Sequence, residues 1–537
     1  MSGSEQLLRR IDKLTEIGIA LSSEKDTSRL LEMILIGAKD LTNADGGTLY
    51  SVQDDNTVKM EILRTDSLNF AMGGSTGKPI PFDPIPLYDA EGKPNTHMVV
   101  THAVLNDCTV NIPDAYDAEG FDFSGTKAFD ASTGYRSTSF LTVPLKNHEG
   151  DIIGVLQLLN AQDVHGDQII AFDSTAQHLA ESLASQAAIA LTNRRLIDDL
   201  KTLLESLIQL VATAIDEKSP YTGGHCKRVP ELTMMLADAA HTAKEGPFKD
   251  FSMSEDDRYE LSIAAWLHDC GKITTPEYVV DKATKLETIY DRIETVDTRF
   301  EILKRDVEIA MLKQGIATME RGEQLDMNSL QQDIQTQLRE LDEELDFLHL
   351  SNTGGEFMAE ADQQRVREIA KRQWRHNGEA VPLLTENEVY NLCIAKGTLT
   401  PEEREVINNH IVATIKMLEA LPFPKHLRNV PEFAGGHHEK MDGTGYPRGL
   451  TREQMSVQAR IMAIADIFEA LTARDRPYKE GKKLSEALRI LSFMKKDQHI
   501  DPDLFDLFMR ERVFDRYART YLDKAQLDEV DVSQYLQ

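Results

Sequence analysis

The chain has 537 residues, room for about three domains by length alone, and its 41% hydrophobic and 28% charged residues are those of an ordinary globular protein. A formal net charge of -30 with no Lys/Arg-rich run argues against long DNA or RNA as a partner. No apolar run is long enough to span a bilayer, the start MSGSEQLLRRIDKLTEIG has no secretory h-region, and the four cysteines form no CxxC, so a reduced, cytoplasmic setting away from membranes is expected.

In chain order, residues 5–43 show helical periodicity. A mixed region follows to about residue 162, with β-type runs GTLYSVQ, TVKMEILR and SFLTVPL. The stretch RSTSFLTVPLKNHEGDIIGVLQLLNAQ predicts two antiparallel strands around the turn Asn147-His148-Glu149-Gly150. Helix, strands and helix together predict an α+β sensor-type module. VPLKNHEGDIIGVLQLLN resembles the closing hairpin of GAF domains, a resemblance that covers roughly residues 10–195. The NKFDE-type motif of cyclic-nucleotide-binding GAF domains is not visible. The resemblance therefore implies a small ligand of unknown identity, and a purely dimerising scaffold is the alternative.

From about Asp173 to Asp216 the pattern is one long helix. Ile197, Leu200, Leu204, Leu207, Val211 and Ala214 keep strict 3-4-3-4-3 spacing, the seam of a coiled coil. Carried backwards, the register takes in Leu179, Leu183, Gln186, Ala190 and Asn193. This predicts a connecting helix that pairs two copies of the chain. A helix packed on its own domain is the alternative.

Residues 217–275 and 390–520 are helical in pattern. Between them, at about 280–385, lie KLETIYDRIETVDTRFEILKRDVEIAML and LQQDIQTQLRELDEELDFLHL, which predict two long amphipathic helices joined by a polar turn near GIATMERGEQLDMN. An inserted helical segment without chemistry is the expectation there.

The chemistry is carried by histidines and aspartates in the helical part. His225 follows Gly-Gly; His268-Asp269 ends the apolar run LSIAAWL; His410 sits in EEREVINNHI; His437-His438 open HHEKMDGTGYP; Asp466 is embedded in IMAIADIF. A buried carboxylate needs a cation or hydrogen bonds, and imidazole with carboxylate suits Fe, Mn, Zn or Ni. Adjacent histidines diverge on any regular surface, so His437-His438 predicts a helix end wrapping a compact target. Cys226 and Cys270 each follow a histidine-bearing position and are expected to pack in the core.

Taken in order, this set resembles the HD superfamily of metal-dependent phosphohydrolases, and HDCGK, HHEKMDGTGYP and DRPYK are similar to the HD-GYP subfamily over residues 205–515, the insertion excluded. The resemblance implies metal ligands at His225, His268, Asp269, His410, His437, His438 and Asp466, with Asp269 bridging. It implies substrate contacts from Lys272, Tyr446, Arg476 and Lys479, with Asp269 and Lys272 catalytic, and a loop of Gly445, Tyr446 and Pro447 beside the pocket. Two divalent ions, Fe or Mn, are expected. Members with a third metal carry a glutamate four residues before the first histidine, where this chain has Tyr221. The step from His268 to His410 also exceeds the family's few tens of residues because of the insertion.

The architecture expected is therefore multidomain: a GAF-like α+β domain at 1–172, a connecting dimerisation helix at 173–216, and an all-α HD-GYP catalytic domain at 217–537 with its helical insertion. The activity implied is hydrolysis of cyclic di-GMP, with either pGpG or GMP as the final product, and a diguanylate cyclase is an implied partner. The alternatives are another cyclic dinucleotide such as 3′,3′-cGAMP, or a signalling module without turnover.

Overall fold

In the computed structural model, which describes residues 3–163, 168–218, 224–355, 357–473 and 481–536, the chain divides into two units, Met1–Leu203 and Leu204–Gln537. The first unit opens with α1 (Gly3–Ser23) and α2 (Thr27–Thr42). Asp26 caps α2 by accepting from the Arg29 amide, and Asn43 ends it in the left-handed conformation. Then come β1 (Ala44–Val52), β2 (Thr57–Thr65), β3 (Phe70–Gly73), β4 (Ile85–Pro86), α3 (Val99–Asn106), β5 (Val110–Ile112), α4 (Ser124–Thr133), β6 (Phe140–Lys146), β7 (Ile152–Gln162) and β8 (Ile169–Ile170).

The strand order is β3-β2-β1-β7-β6-β5, with β4 on β2 and β8 on β7, and all pairings are antiparallel. The predicted hairpin is β6–β7. Strand alternation sends Leu141, Val143 and Leu145 into a core with Leu30 and Ile34 of α2. Phe140, on the other face, joins Val99, Ile112 and Phe123.

The predicted connecting helix is α5 (Ser174–Lys218), 45 residues long. Ala180, Leu183 and Ala187 are buried in the first unit, and Ile208, Ala212 and Ile215 in the second. Most of the predicted seam is left out of both cores. Ile197, Leu200 and Leu207 are 59%, 69% and 51% exposed, while Leu204 is partly covered by the second unit's core.

The second unit is helical. It runs through α6 (His225–Thr242), α7 (Glu255–Leu267) and α8 (Glu277–Val280). Next come α9 (Ile293–Glu320), α10 (Met327–Asn352), α11 (Glu360–Ile369), β9 (Gln373–His376), β10 (Glu379–Pro382) and α12 (Glu386–Leu392). It ends with α13 (Pro401–Glu419), α14 (Val430–Gly435), α15 (Val457–Thr472), α16 (Leu484–Lys496), α17 (Pro502–Arg510) and α18 (Val513–Tyr521). Leu232, Leu236, Leu261, Phe468, Phe505, Phe508 and Phe514 form its main core.

The segment between α8 and α13 has a core of its own, including Leu286, Val296, Phe300, Leu348 and Leu392. Its α9 and α10 are the two helices that periodicity predicts. The hairpin β9–β10 was not anticipated. It turns on Asn377-Gly378, both with positive φ, the backbone a two-residue hairpin requires. The fully buried side chain of Lys282 ties this segment to α13, with Nζ 2.9 Å from Asn391 Oδ1 and 2.7 Å from Glu403 Oε2. Among the described residues no helix is long and apolar enough to cross a membrane.

Candidate metal centre

Five separate stretches deliver the seven predicted ligands to one place. His225 is the first residue of α6, placed by Gly224 at φ +87. His268 and Asp269 leave the C-terminal end of α7, whose start is fixed by a capping box between Ser254 and Asp257. His410 lies within α13, where Thr400 and Glu403 form a second capping box and Pro401 occupies the first turn. His437 and His438 follow α14, and Asp466 lies in α15. His225, His268, His410 and His437 are buried, as is Asp269.

The ligand atoms form two groups. His225, His268, Asp269 and Asp466 offer one atom each within 4.8 Å of one another, and so do His410, His437 and His438. Asp269 faces both. Its Oδ2 is 3.2 Å from the Nε2 atoms of His225 and His268, and its Oδ1 is 3.3 Å from His410 Nε2.

The second nitrogen of each ring is already engaged. Nδ1 of His268, His410 and His437 donates to the carbonyl three residues back, Ala265, Ile407 and Ala434, at 2.7, 2.5 and 2.6 Å. A carbonyl only accepts, so Nδ1 holds a proton in each of these rings and Nε2 is the nitrogen turned toward the cluster. His225 Nδ1 is held by Glu469 Oε2 at 2.5 Å. Tyr446 approaches His438 Nδ1 at 3.2 Å through its hydroxyl and stacks on that ring, with centroids 4.9 Å apart and planes at 15°.

This arrangement fits a divalent metal. Nε2 of His225 and His268 lie 3.3 Å apart, and those of His410 and His438 3.2 Å apart. Two ring nitrogens at that distance need a proton or a metal cation between them. Two buried atoms, Asp269 Oδ1 and His437 Nε2, make no hydrogen bond at all, and an orphaned buried acceptor is costly without a partner. Partners on the outer nitrogens fix tautomer and ring orientation, as is general for histidines that bind metals.

The electrostatics differ between the groups. Burial lowers the pKa of His225, but Glu469, Asp269 and Asp466 outweigh it and raise the pKa well above the ordinary imidazole value. In His268 the same contest, against Asp269 and Asp466, ends at about 9. Burial raises the carboxyls of Asp269 and Asp466, yet Lys272 with His268 and His225 holds the first, and His225, His268 and His437 hold the second, well below the usual carboxylate range. Glu469 is held at about 2 by His225 and Arg228 despite burial. At the other group, burial and neighbouring histidines depress His437 strongly, and burial brings His438 to about 4.

Of the remaining predicted residues, Lys272 lies on Asp269, Nζ to Oδ2 at 2.5 Å. Tyr446 reaches the centre through His438. Arg476, Lys479 and Tyr221 lie outside the described residues. Cys226 and Cys270 are buried in the core beside their histidines.

Three supporting residues escaped the sequence reading. Glu469, fully buried, binds His225 and also accepts from Arg228 Nε at 2.7 Å. Its signal was a second carboxylate three residues after Asp466 in an apolar helix. Glu439, also buried, accepts from the amides of Arg448 at 2.7 Å and Leu450 at 2.9 Å, fixing the loop that carries Tyr446. Gly271 lets the turn after Asp269 touch α13. A Cβ there would lie 1.9 Å from the His410 carbonyl oxygen, and its amide donates to Thr414 Oγ1 at 2.9 Å. Gly445 is likewise obligatory, since a Cβ would meet the Lys440 amide nitrogen at 2.3 Å.

A helical unit that gathers His and Asp side chains in this way defines the class of the HD domain. Residues 383–504 match the family model of the HD domain and residues 26–191 that of the GAF domain. The chain thus carries a match to the GAF domain and one to the HD domain, the latter spanning the motif HHEKMDGTGYP. It is similar to a cyclic di-GMP phosphodiesterase of Thermotoga maritima, 35% identical over 24% of this chain and 34% of that protein. Two proteins of Vibrio cholerae are also similar. One is a probable cyclic di-GMP phosphodiesterase, 37% identical over 25% of this chain and 31% of the other. The second is 3′3′-cGAMP-specific phosphodiesterase 3, 36% identical over 25% of this chain and 29% of the other. The chain spans about a third of the length of these curated relatives.

Proposed function

We propose that the protein is a metal-dependent phosphodiesterase that opens cyclic di-GMP to pGpG. The observation that carries this reading is the convergence of seven His and Asp side chains in two groups, with two of their buried inward atoms, Asp269 Oδ1 and His437 Nε2, left without a hydrogen-bond partner. His225, His268, Asp269 and Asp466 would hold one divalent ion and His410, His437 and His438 a second, with Asp269 between them. Iron or manganese suits this mixed set of imidazole and carboxylate. When bound, such ions supply hydroxide at neutral pH and offset charge on a phosphodiester. The chain's own residues orient the ligands: backbone carbonyls and Glu469 hold the imidazoles, and Tyr446 holds His438 while lining the mouth. Lys272, released from Asp269, would contact a phosphoryl oxygen, as would Arg476 and Lys479.

In this reading the GAF domain modulates turnover through α5, and two chains pair along the exposed seam of Ile197, Leu200 and Leu207. A monomer in light scattering at micromolar concentration would remove the pairing.

A second substrate, 3′,3′-cGAMP, is supported by the relative named for it, which is as similar as those named for cyclic di-GMP. Metal analysis of anaerobically purified protein, paired with turnover assays on both dinucleotides, tests the function. Metal-loaded protein that leaves both intact overturns it.

A further inference from the structure

The inserted segment brings to α13 a group of cations that the metal centre does not use. A cavity of about 480 Å³ lies where α11 and α12 meet the start of α13, lined by Gln363, Arg367, Tyr390, Cys393, Lys396 and Arg404 among others. Among the described residues Lys396 makes no ion pair, and Arg404 bonds only the Lys396 carbonyl, at 3.4 Å. Arg367 is shared with Glu360 Oε1 at 3.1 Å and Gln363 Oε1 at 3.2 Å. Glu402 accepts from the Tyr390 hydroxyl at 3.0 and 2.9 Å. Three cations around one cavity in a chain of net charge -30 repel one another and lack a full set of anionic partners.

Arg404 links this cavity to the metal centre. It lies six residues before His410 on the same helix, about 9 Å along the axis. We propose that this cavity is a phosphate-binding subsite, which takes the second phosphate of a cyclic dinucleotide whose first phosphate lies at the metal centre. The inference rests on the proposed function for its ligand. A cyclic dinucleotide has two phosphodiesters, and seven ligand residues serve only one. Guanidinium and ammonium groups are the side chains that bind a phosphate through charge-assisted hydrogen bonds. Two of the three cations, Arg367 and Lys396, lie outside the ligand-bearing helices, so the inserted segment and the loop that follows it are part of the substrate site.

The test is the double variant Lys396→Ala/Arg404→Ala in the full chain, with two readouts. Calorimetric titration of EDTA-treated protein with cyclic di-GMP is expected to give roughly tenfold weaker binding than wild type. Steady-state kinetics are expected to show a comparable rise in KM for cyclic di-GMP, while cleavage of bis(p-nitrophenyl) phosphate, which has one phosphate, is unchanged. Equal affinity for cyclic di-GMP in both proteins overturns the subsite. So does an equal loss on both substrates, which would place the two residues in the metal centre. A stoichiometry of two in wild type and one in the variant also overturns it, in favour of a separate nucleotide site. Weakened binding in a protein that hydrolyses neither substrate leaves the subsite standing and removes the phosphodiesterase reading instead.

Discussion

Glu469 offers the sharpest test of how the candidate metal centre is built. Its carboxylate is fully buried and divides its two oxygens between His225 Nδ1, at 2.5 Å, and Arg228 Nε, at 2.7 Å. Glu469→Ala removes both contacts. His225 then loses the partner that fixes its tautomer, and a guanidinium whose side chain is only 19% exposed loses its carboxylate. Loss of such an outer partner costs about 10–100-fold in metal affinity, equivalent to about 1.4–2.8 kcal/mol. Breaking a buried ion pair from one side costs about 3–5 kcal/mol of folding stability. Glu469→Gln separates the two effects. It keeps an oxygen for the His225 N–H and fills the same volume, so metal affinity should fall about tenfold with a smaller loss of stability. Competition of Mn²⁺ between the protein and a chelating dye measures the first, and calorimetric unfolding of metal-free protein the second. Glu469→Ala that folds and binds metal as tightly as wild type refutes this account of the His225 support.

Gly271→Ala should cost about 3 kcal/mol and lower metal occupancy, because the new methyl would lie 1.9 Å from the His410 carbonyl oxygen and 2.5 Å from the Thr414 amide nitrogen; urea denaturation with metal analysis reads both, and an unchanged midpoint contradicts the contact. Tyr446→Phe keeps the ring on His438 and removes the hydroxyl, so metal affinity should fall a few-fold with stability changed by about 1 kcal/mol or less, whereas Tyr446→Ala should lower affinity further. The inserted segment should loosen in acid. Burial raises the pKa of Glu388, but Arg299, at 2.7 Å, and the Thr385 hydrogen bonds bring it below the ordinary value of 4.5. The folded pKa is therefore depressed, so this pair's stabilisation is complete above 4.5 and lost as pH falls through the lower folded value. Hydrogen exchange in α9 and α12 should accelerate over that range in wild type and depend less on pH in Glu388→Gln; equal profiles would sink the assignment.

The converging His and Asp residues were singled out because HDCGK, HHEKMDGTGYP and DRPYK resemble the HD-GYP subfamily. A lone histidine or aspartate at the edge of an apolar helix such as LSIAAWL or IMAIADIF is by itself a weak signal, since it is more often a satisfied polar side chain than a ligand. The helices α5, α9 and α10 were legible from apolar periodicity. What escaped depends on contacts between distant stretches. Glu469 looked like one more helix glutamate until α6 brought His225 and Arg228 against it. The role of Gly271 is set by a helix that begins 130 residues later, which no local pattern reports. The β9–β10 hairpin did carry a local sign, Asn377-Gly378, but strands of four residues are too short for alternation to stand out. The seam on α5 was read as one stripe. The helix instead turns Ile208, Ala212 and Ile215 inward and leaves Ile197, Leu200 and Leu207 outside, a division set by the core beside it.

The inserted segment parts the ligand set as well as lengthening the chain. His225, His268 and Asp269 precede it, and His410, His437, His438 and Asp466 follow it. The turn between α9 and α10, with Arg321, Gly322, Glu323 and Gln324 all exposed, lies away from the contacts that bring the two sets together. A single cut there would leave two polypeptides, each holding an incomplete ligand set and each covering apolar surface of the other. The centre is in that sense a clasp between two fragments, and the protein lends itself to being expressed in halves that regain their chemistry only on reassembly.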